Sequence, residues 1–137
     1  MKLIEELHRQ GKINEQRKKE LESEVEKTNK TEEDVLLLNK IFDENTLFEL
    51  KSKVFNIPFL KPTTKEIPLE VLDLVSEEAA VNYKMVPLFK KNNVVGIGMV
   101  YPENVLAQNA LRFLGRQENF TYEVYLITFS DLDSILR

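Results

Sequence analysis

The sequence of 137 residues has no cysteine, no tryptophan, one histidine and four glycines. Without cysteine, the chain can form no disulfides, no thiolate metal sites and no cysteine nucleophile. One histidine and no cysteine also exclude the common structural zinc sites. Because no apolar run approaches the roughly 20 residues of a membrane span, we expect no direct membrane insertion. Glutamates interrupt the first ten residues, so we expect no signal peptide.

An excess of positive charge is also missing. The formal net charge is −4, from 19 Lys and Arg against 23 Asp and Glu, so no basic field favours a nucleic-acid partner. Apolar residues make up 42% of the chain, enough to pack one domain or two small lobes.

The first 56 residues contain signals that begin and end helices at short intervals. Asn14, Thr31 and Asp43 each precede a helix-forming run, which is the position of an N-cap. Gly11 follows the first run, where a glycine in the left-handed conformation ends a helix. We therefore predict a small lobe of four short helices over residues 1–56.

From residue 57 the pattern changes. Three prolines in the twelve residues "IPFLKPTTKEIP" favour extended backbone, and this stretch is the predicted connector between the lobes. Two apolar runs meet at Asn92 and Asn93, which predicts a β-hairpin because asparagine tolerates the positive φ of a tight turn. A third strand is predicted in "NFTYEVYLIT".

Helices are predicted before, between and after these strands. "PENVLAQNALRFLG" predicts an amphipathic helix that ends at Gly115, with Val105 and Leu106 on its apolar face. Ser130 is the predicted cap of the last helix. Residues 57–137 thus predict an α+β lobe, a small sheet made of a hairpin plus a third strand and covered by helices.

Gly96 and Gly98, in "VVGIGMVYPEN", raise the question of a nucleotide site. The dinucleotide-binding pattern needs a third glycine where Tyr101 stands, and no stretch matches a P-loop. Both glycines lie inside the apolar run and not at its end. We predict that they let neighbouring groups pack closely on one strand face and that they bind no ATP.

Catalytic patterns are also missing. The lone His8 is adjacent to an apolar helix face, no G-x-S-x-G motif occurs, and Glu77 and Glu78 fit favourable charge at a helix N-terminus. We predict that the chain is not an enzyme and holds neither a metal nor a cofactor.

The order of signals after residue 57 resembles the N-terminal domain of GspE/PilB-type ATPases, which power type II secretion and type IV pilus assembly. The resemblance covers about residues 57–136, with Tyr101 in place of the family's aspartate and Gly98 in place of its alanine. The matching positions are Pro58, Phe59, Val71, Leu72, Leu74, Val75, Pro87, Leu88, Met99, Pro102, Asn104, Phe113 and Gly115.

The first lobe is similar to the paired helical repeat that precedes this domain in the family. In many family members this repeat binds cyclic di-GMP. The apolar framework is kept, but Lys2 and Thr31 replace the arginines that such a site uses for stacking and paired phosphate bonds. An acidic Glu33 in place of a glycine would also repel an anionic ligand. These changes argue against cyclic di-GMP, and weaker binding through Lys2, Arg9 and Lys12 stays open.

The resemblance implies a non-catalytic docking and regulatory domain in the cytoplasm, held at the inner membrane by a secretion or pilus machinery protein. An ATPase module would follow it or be supplied by another protein. The candidate protein-binding residues are Arg17, Lys18, Lys19 and Phe48, the last beside a predicted core stripe of Leu47, Leu50 and Val54. The alternatives are a cyclic di-GMP-responsive sensor and a free-standing signalling adaptor with the same fold.

Overall fold

A computed structural model describes residues 1–62 and 67–136 of the chain. These residues divide between two compact units, a helical unit over Met1–Asn56 and an α+β unit over Ile57–Arg137. The helical unit contains α1 (Lys2–Arg9), α2 (Glu15–Thr28), α3 (Glu32–Leu38) and α4 (Glu44–Phe55).

The helices of the helical unit begin where their capping residues predict. The side chains of Asn14, Thr31 and Asp43 each accept a hydrogen bond from the backbone N–H three residues later, at 2.8, 3.1 and 2.8 Å. Gly11 follows α1 with φ of +75°, the left-handed conformation expected there. These local predictions are confirmed because a cap needs only one side chain and the adjacent backbone.

The buried face of α4 differs from the predicted stripe. Leu47 is buried as expected, but its buried neighbours are Phe48 and Lys51, while Leu50 and Val54 remain partly exposed. The helix is therefore rotated relative to the prediction, and it carries a lysine into the core.

Lys51 is buried because it meets a carboxylate from another helix. Its Nζ forms an ion pair with Glu33 of α3, and the two residues are 0% and 3% exposed. The same Nζ lies 5.8 Å from the centroid of the Phe48 ring and 5.6 Å from that of Phe55, in cation–π range. The pair thus links α3 to α4 inside the apolar core.

Removing one partner of this pair should destabilise the helical unit strongly. Lys51→Met keeps much of the side-chain volume but leaves Glu33 buried without its ammonium, and we expect the free energy of unfolding to fall by about 3–5 kcal/mol. Urea unfolding followed by circular dichroism measures the loss. Lys53→Met, at an exposed position of the same helix, is the control and should change little.

The double variant Glu33→Leu/Lys51→Met separates the ion pair from the packing. Replacing both charges by apolar groups removes the buried carboxylate, so stability should return towards that of the wild type. A double variant as unstable as Lys51→Met would contradict the assignment of the loss to an unpaired buried charge.

The α+β unit is built on a mixed three-stranded sheet, with the strands ordered β1 (Met85–Lys91), β2 (Val94–Met99) and β3 (Thr121–Leu126). The β1–β2 pair is an antiparallel hairpin that turns at Asn92, with φ of 57°, and Asn93, as predicted. β3 runs parallel to β2, so the chain must cross over between them. The α+β fold is confirmed.

Part of the predicted connector belongs to the sheet. Phe59 bridges Leu126 at the end of β3, and the Leu60 N–H donates to the Leu126 carbonyl at 3.0 Å. The Leu126 N–H donates in turn to the carbonyl of Pro58 at 2.8 Å. Pro58–Leu60 is therefore extended, as predicted, but it is pinned to a strand within the α+β unit. Residues 63–66 of the predicted connector lie outside the described residues.

The helices of this unit are α5 (Leu69–Leu72), α6 (Glu77–Tyr83), α7 (Val105–Gln117) and α8 (Phe129–Leu136). α5, α6 and α8 pack against β1, and α7 packs against α6. No helix among residues 1–62 and 67–136 is long and apolar enough to cross a membrane.

Two predicted helix boundaries in this unit are wrong. α7 continues to Gln117, past Gly115, which is buried where an added Cβ would lie 3.0 Å from the carbonyl oxygen of Phe120. This glycine serves close packing and does not end the helix. α8 begins at Phe129 and is capped by Thr128, whose Oγ1 accepts from the Asp131 N–H at 3.1 Å, and not by Ser130.

Candidate functional site

Gly96 and Gly98 lie within β2, the central strand of the three, and both are buried. A Cβ at Gly96 would collide with the ring of Phe89, its partner on β1. A Cβ at Gly98 would lie 2.9 Å from two side-chain atoms of Ile127. Neighbouring side chains fill the space over the glycines, so the predicted packing role is confirmed and neither glycine forms a phosphate-binding turn.

A larger residue at position 98 should overpack the sheet. We expect Gly98→Val to lower the free energy of unfolding by about 1–3 kcal/mol, as small-to-large core changes do. Adding Ile127→Ala should recover part of the loss, because Ile127 supplies the nearest atoms. Thermal unfolding measures both variants. ATP affinity that depends on Gly98 would contradict the packing role.

The lysines predicted as weak ligands of cyclic di-GMP lie at different places. Lys2 Nζ is 5.3 Å from the ring centroid of Phe55, at the end of α4. Lys12 Nζ is 5.5 Å from the ring centroid of Phe42, just before α4 begins. A helix of 12 residues is roughly 18 Å long, so the structure does not bring the two ammonium groups together.

Arg9, the third residue predicted to contact cyclic di-GMP, forms an ion pair within its own helix. Its guanidinium donates to both carboxylate oxygens of Glu6, with an Nε–Oε1 distance of 3.0 Å. The hydrogen bond from Arg9 lowers the pKa of Glu6, and a second bond from Gln10 acts in the same direction. The positive charge of Arg9 is thus largely offset by its neighbour.

The first turn of α1 already holds a carboxylate. The Ile4 N–H donates to Glu32 Oε2 at 2.9 Å, and the Leu3 N–H reaches Glu32 Oε1 at 3.5 Å. Free N–H groups at a helix N-terminus attract anions. In this chain Glu32, from the start of α3, takes that position.

The basic run Arg17–Lys19 lies in the first turns of α2 and does not form one continuous face. Arg17 Nη2 donates to Asn39 Oδ1 at 3.2 Å, Lys18 is half-buried and Lys19 is exposed. Successive helical residues point about 100° apart, so the three charges spread around α2. Their predicted role in protein binding stays a prediction.

Phe48 was predicted as a candidate protein-binding residue, and its position corrects that prediction. The ring is 0% exposed and lies next to the buried Lys51. A side chain without accessible surface cannot contact a partner while the fold stays intact.

The outer face of α7 was missed by the sequence prediction. The helix buries Ala107, Leu111 and Gly115, while Leu106 and Phe113 on the opposite face are 69% and 66% exposed. Val105, beside them, is 64% exposed, so two residues of the predicted apolar face, Val105 and Leu106, do not lie on the buried side of the helix. A signal was present, because a helix with apolar residues on more than half of its circumference cannot bury them all against one sheet.

Arginines accompany this apolar face. Arg112 and Arg116 are exposed, and Arg112 Nη1 donates to Asn109 Oδ1 at 3.0 Å on the same helix. No residue of α7 is acidic. We call Val105, Leu106, Arg112, Phe113 and Arg116 the α7 face. It combines a phenylalanine with arginines, residue types that are enriched in protein–protein interfaces.

A shallow groove of about 270 Å³ runs beside α7. Leu111 and Arg112 line it from the helix, and Tyr122 and Val124 line it from β3. Arg112 therefore belongs both to the groove and to the α7 face.

The comparisons with known proteins concern the whole fold and the second unit. The MshEN domain model matches residues 55–137. The structure of MshE with cdg has a TM-score of 0.81 at 17% identity and covers 99% of this chain and 96% of that one. A structure of the N-terminal domain of XpsE has a TM-score of 0.72 at 14% identity and covers 98% and 91%. No curated protein sequence gives a significant match.

The two structural likenesses show the fold, and the family model identifies the family. It matches the stretch on which the sequence resemblance to the N-terminal domains of GspE/PilB-type ATPases was based, which confirms that resemblance. The chain belongs to the MshEN domain family.

Proposed function

We propose that the chain is a non-catalytic docking and regulatory domain of a type II secretion or type IV pilus assembly ATPase. It binds a cytoplasmic part of the inner-membrane platform. The α7 face carries this proposal, because Leu106 and Phe113 expose most of their surface on one side of a helix. We take these two exposed apolar side chains as docking contacts, since large exposed apolar surface marks sites of interaction.

The family and the packing of β2 support the same assignment. MshEN membership places the chain with domains of secretion and pilus ATPases. Gly96 and Gly98 come closest to a nucleotide motif, but the side chains of Phe89 and Ile127 occupy the space over them. In this proposal, ATP hydrolysis belongs to a separate motor module, and this chain contributes binding.

Direct binding to the platform tests the proposal. The purified chain should bind the cytoplasmic domains of the platform protein from its own organism in a calorimetric titration, and it should neither bind nor hydrolyse ATP. The triple variant Arg17→Glu/Lys18→Glu/Lys19→Glu tests the helical unit as the docking surface. We expect only a modest loss, confined to low salt, because exposed charges are screened over about 10 Å at 0.1 M. No binding to any platform domain would contradict the proposal.

A cyclic di-GMP sensor is the second candidate, and the fold shared with MshE in its structure with cdg favours it. The side chains of the helical unit argue against it. Glu32 holds the first turn of α1, Arg9 is bonded to Glu6, and Lys2 and Lys12 lie at opposite ends of α4. A dianionic ligand would have to displace a carboxylate and would find no pair of free arginines there.

Titration with cyclic di-GMP separates the two candidates. We expect no measurable heat with the wild-type chain. Glu32→Gln, which removes the carboxylate charge and keeps the side-chain shape, is the matched variant and should reveal at most weak binding. Micromolar affinity of the wild type, lost on Lys2→Ala or Lys12→Ala, would establish the sensor instead.

A further inference from the structure

We infer that the α7 face binds an acidic amphipathic helix of the partner protein, with Phe113 and Leu106 as apolar anchors and Arg112 and Arg116 as charge partners. This inference rests on the proposed function and names the surface and the partner chemistry.

The anchors have the spacing of a helix-recognition site. Leu106 and Phe113 are seven residues apart, which is about two helical turns, or about 10.5 Å along the axis. An amphipathic helix lying along α7 can meet both with apolar residues repeated at the same interval.

The positive charge of α7 favours acidic residues beside the apolar stripe of the partner helix. Arg112 and Arg116 are one turn apart, and α7 has no acidic residue, although the whole chain carries a net charge of −4. Arginine forms paired hydrogen bonds with carboxylates, so Asp or Glu beside the partner's apolar stripe would complement this face.

The same charges disfavour two other occupants. A second copy of the chain related by two-fold symmetry would place α7 against α7, which brings arginines towards arginines without any acidic residue of the helix between them. An anionic membrane usually recruits clusters of roughly four to eight basic residues, and α7 has two.

A synthetic probe tests the surface without a natural partner. The probe is a fluorescent amphipathic helix with leucines along one stripe and glutamates beside it. Its counterpart carries lysines in place of the glutamates. The full chain should bind the glutamate peptide and not the lysine peptide, and its affinity should fall as salt rises.

Substitutions then locate the binding surface. Phe113→Ser should weaken binding of the glutamate peptide about 30-fold or more, as hot-spot truncations do. Leu69→Ser, at an equally exposed apolar position of α5, should leave it unchanged. Arg112→Glu/Arg116→Glu should abolish binding of the glutamate peptide and create binding of the lysine peptide. The control Lys90→Glu/Lys91→Glu makes the same change in net charge on exposed residues of β1. It should neither abolish binding of the glutamate peptide nor create binding of the lysine peptide.

Several outcomes would overturn the inference. They are no binding of the glutamate peptide, equal losses in the variants and their controls, self-association abolished by Phe113→Ser, or preferential binding to vesicles containing phosphatidylglycerol. The platform titration answers a different question. If Phe113→Ser leaves platform binding intact, this inference is wrong and the proposed function stands. If the chain binds the glutamate peptide but no platform domain, the proposed function is wrong and the assignment of the α7 face as a helix-binding surface stands.

Discussion

The parallel pairing of β2 with β3 determines what the α+β unit presents to its surroundings. Parallel neighbours require a crossover, and α7 is that crossover. The helix must bury one face, which it does with Ala107, Leu111 and Gly115. The opposite face remains in water, and there the sequence places Leu106 and Phe113 where a structural helix would carry polar residues. Topology therefore accounts for the position of the face, and its exposed apolar and basic side chains are the reason for proposing it as a binding surface.

The helical unit shows the reverse condition, because several of its charged groups already have partners within the unit. Lys51 is paired with Glu33 in the core, Arg9 with Glu6, and the first turn of α1 with Glu32. Side chains that satisfy one another gain little by exchanging partners for a ligand. This internal compensation is the physical reason for assigning the binding role to the α7 face.

Local features of the fold could be predicted from the sequence, and the orientation of the helices could not. The caps at Asn14 and Asp43 and the turn at Asn92 depend on adjacent backbone, which a short stretch specifies. The buried side of α4 depends on Lys51 finding a carboxylate 18 residues away, a pairing that no periodicity reveals. For α7, the apolar pattern indicated a helix but not which side the sheet would cover, so its outer face was missed.

Site-specific photo-crosslinking in cells tests the central claim most directly. A benzophenone amino acid at position 113 should crosslink to a component of the inner-membrane platform, and the same group at position 69, which is equally exposed on α5, should not. That result would place the partner on the α7 face. Crosslinks to the platform from position 69 and none from position 113 would contradict the account.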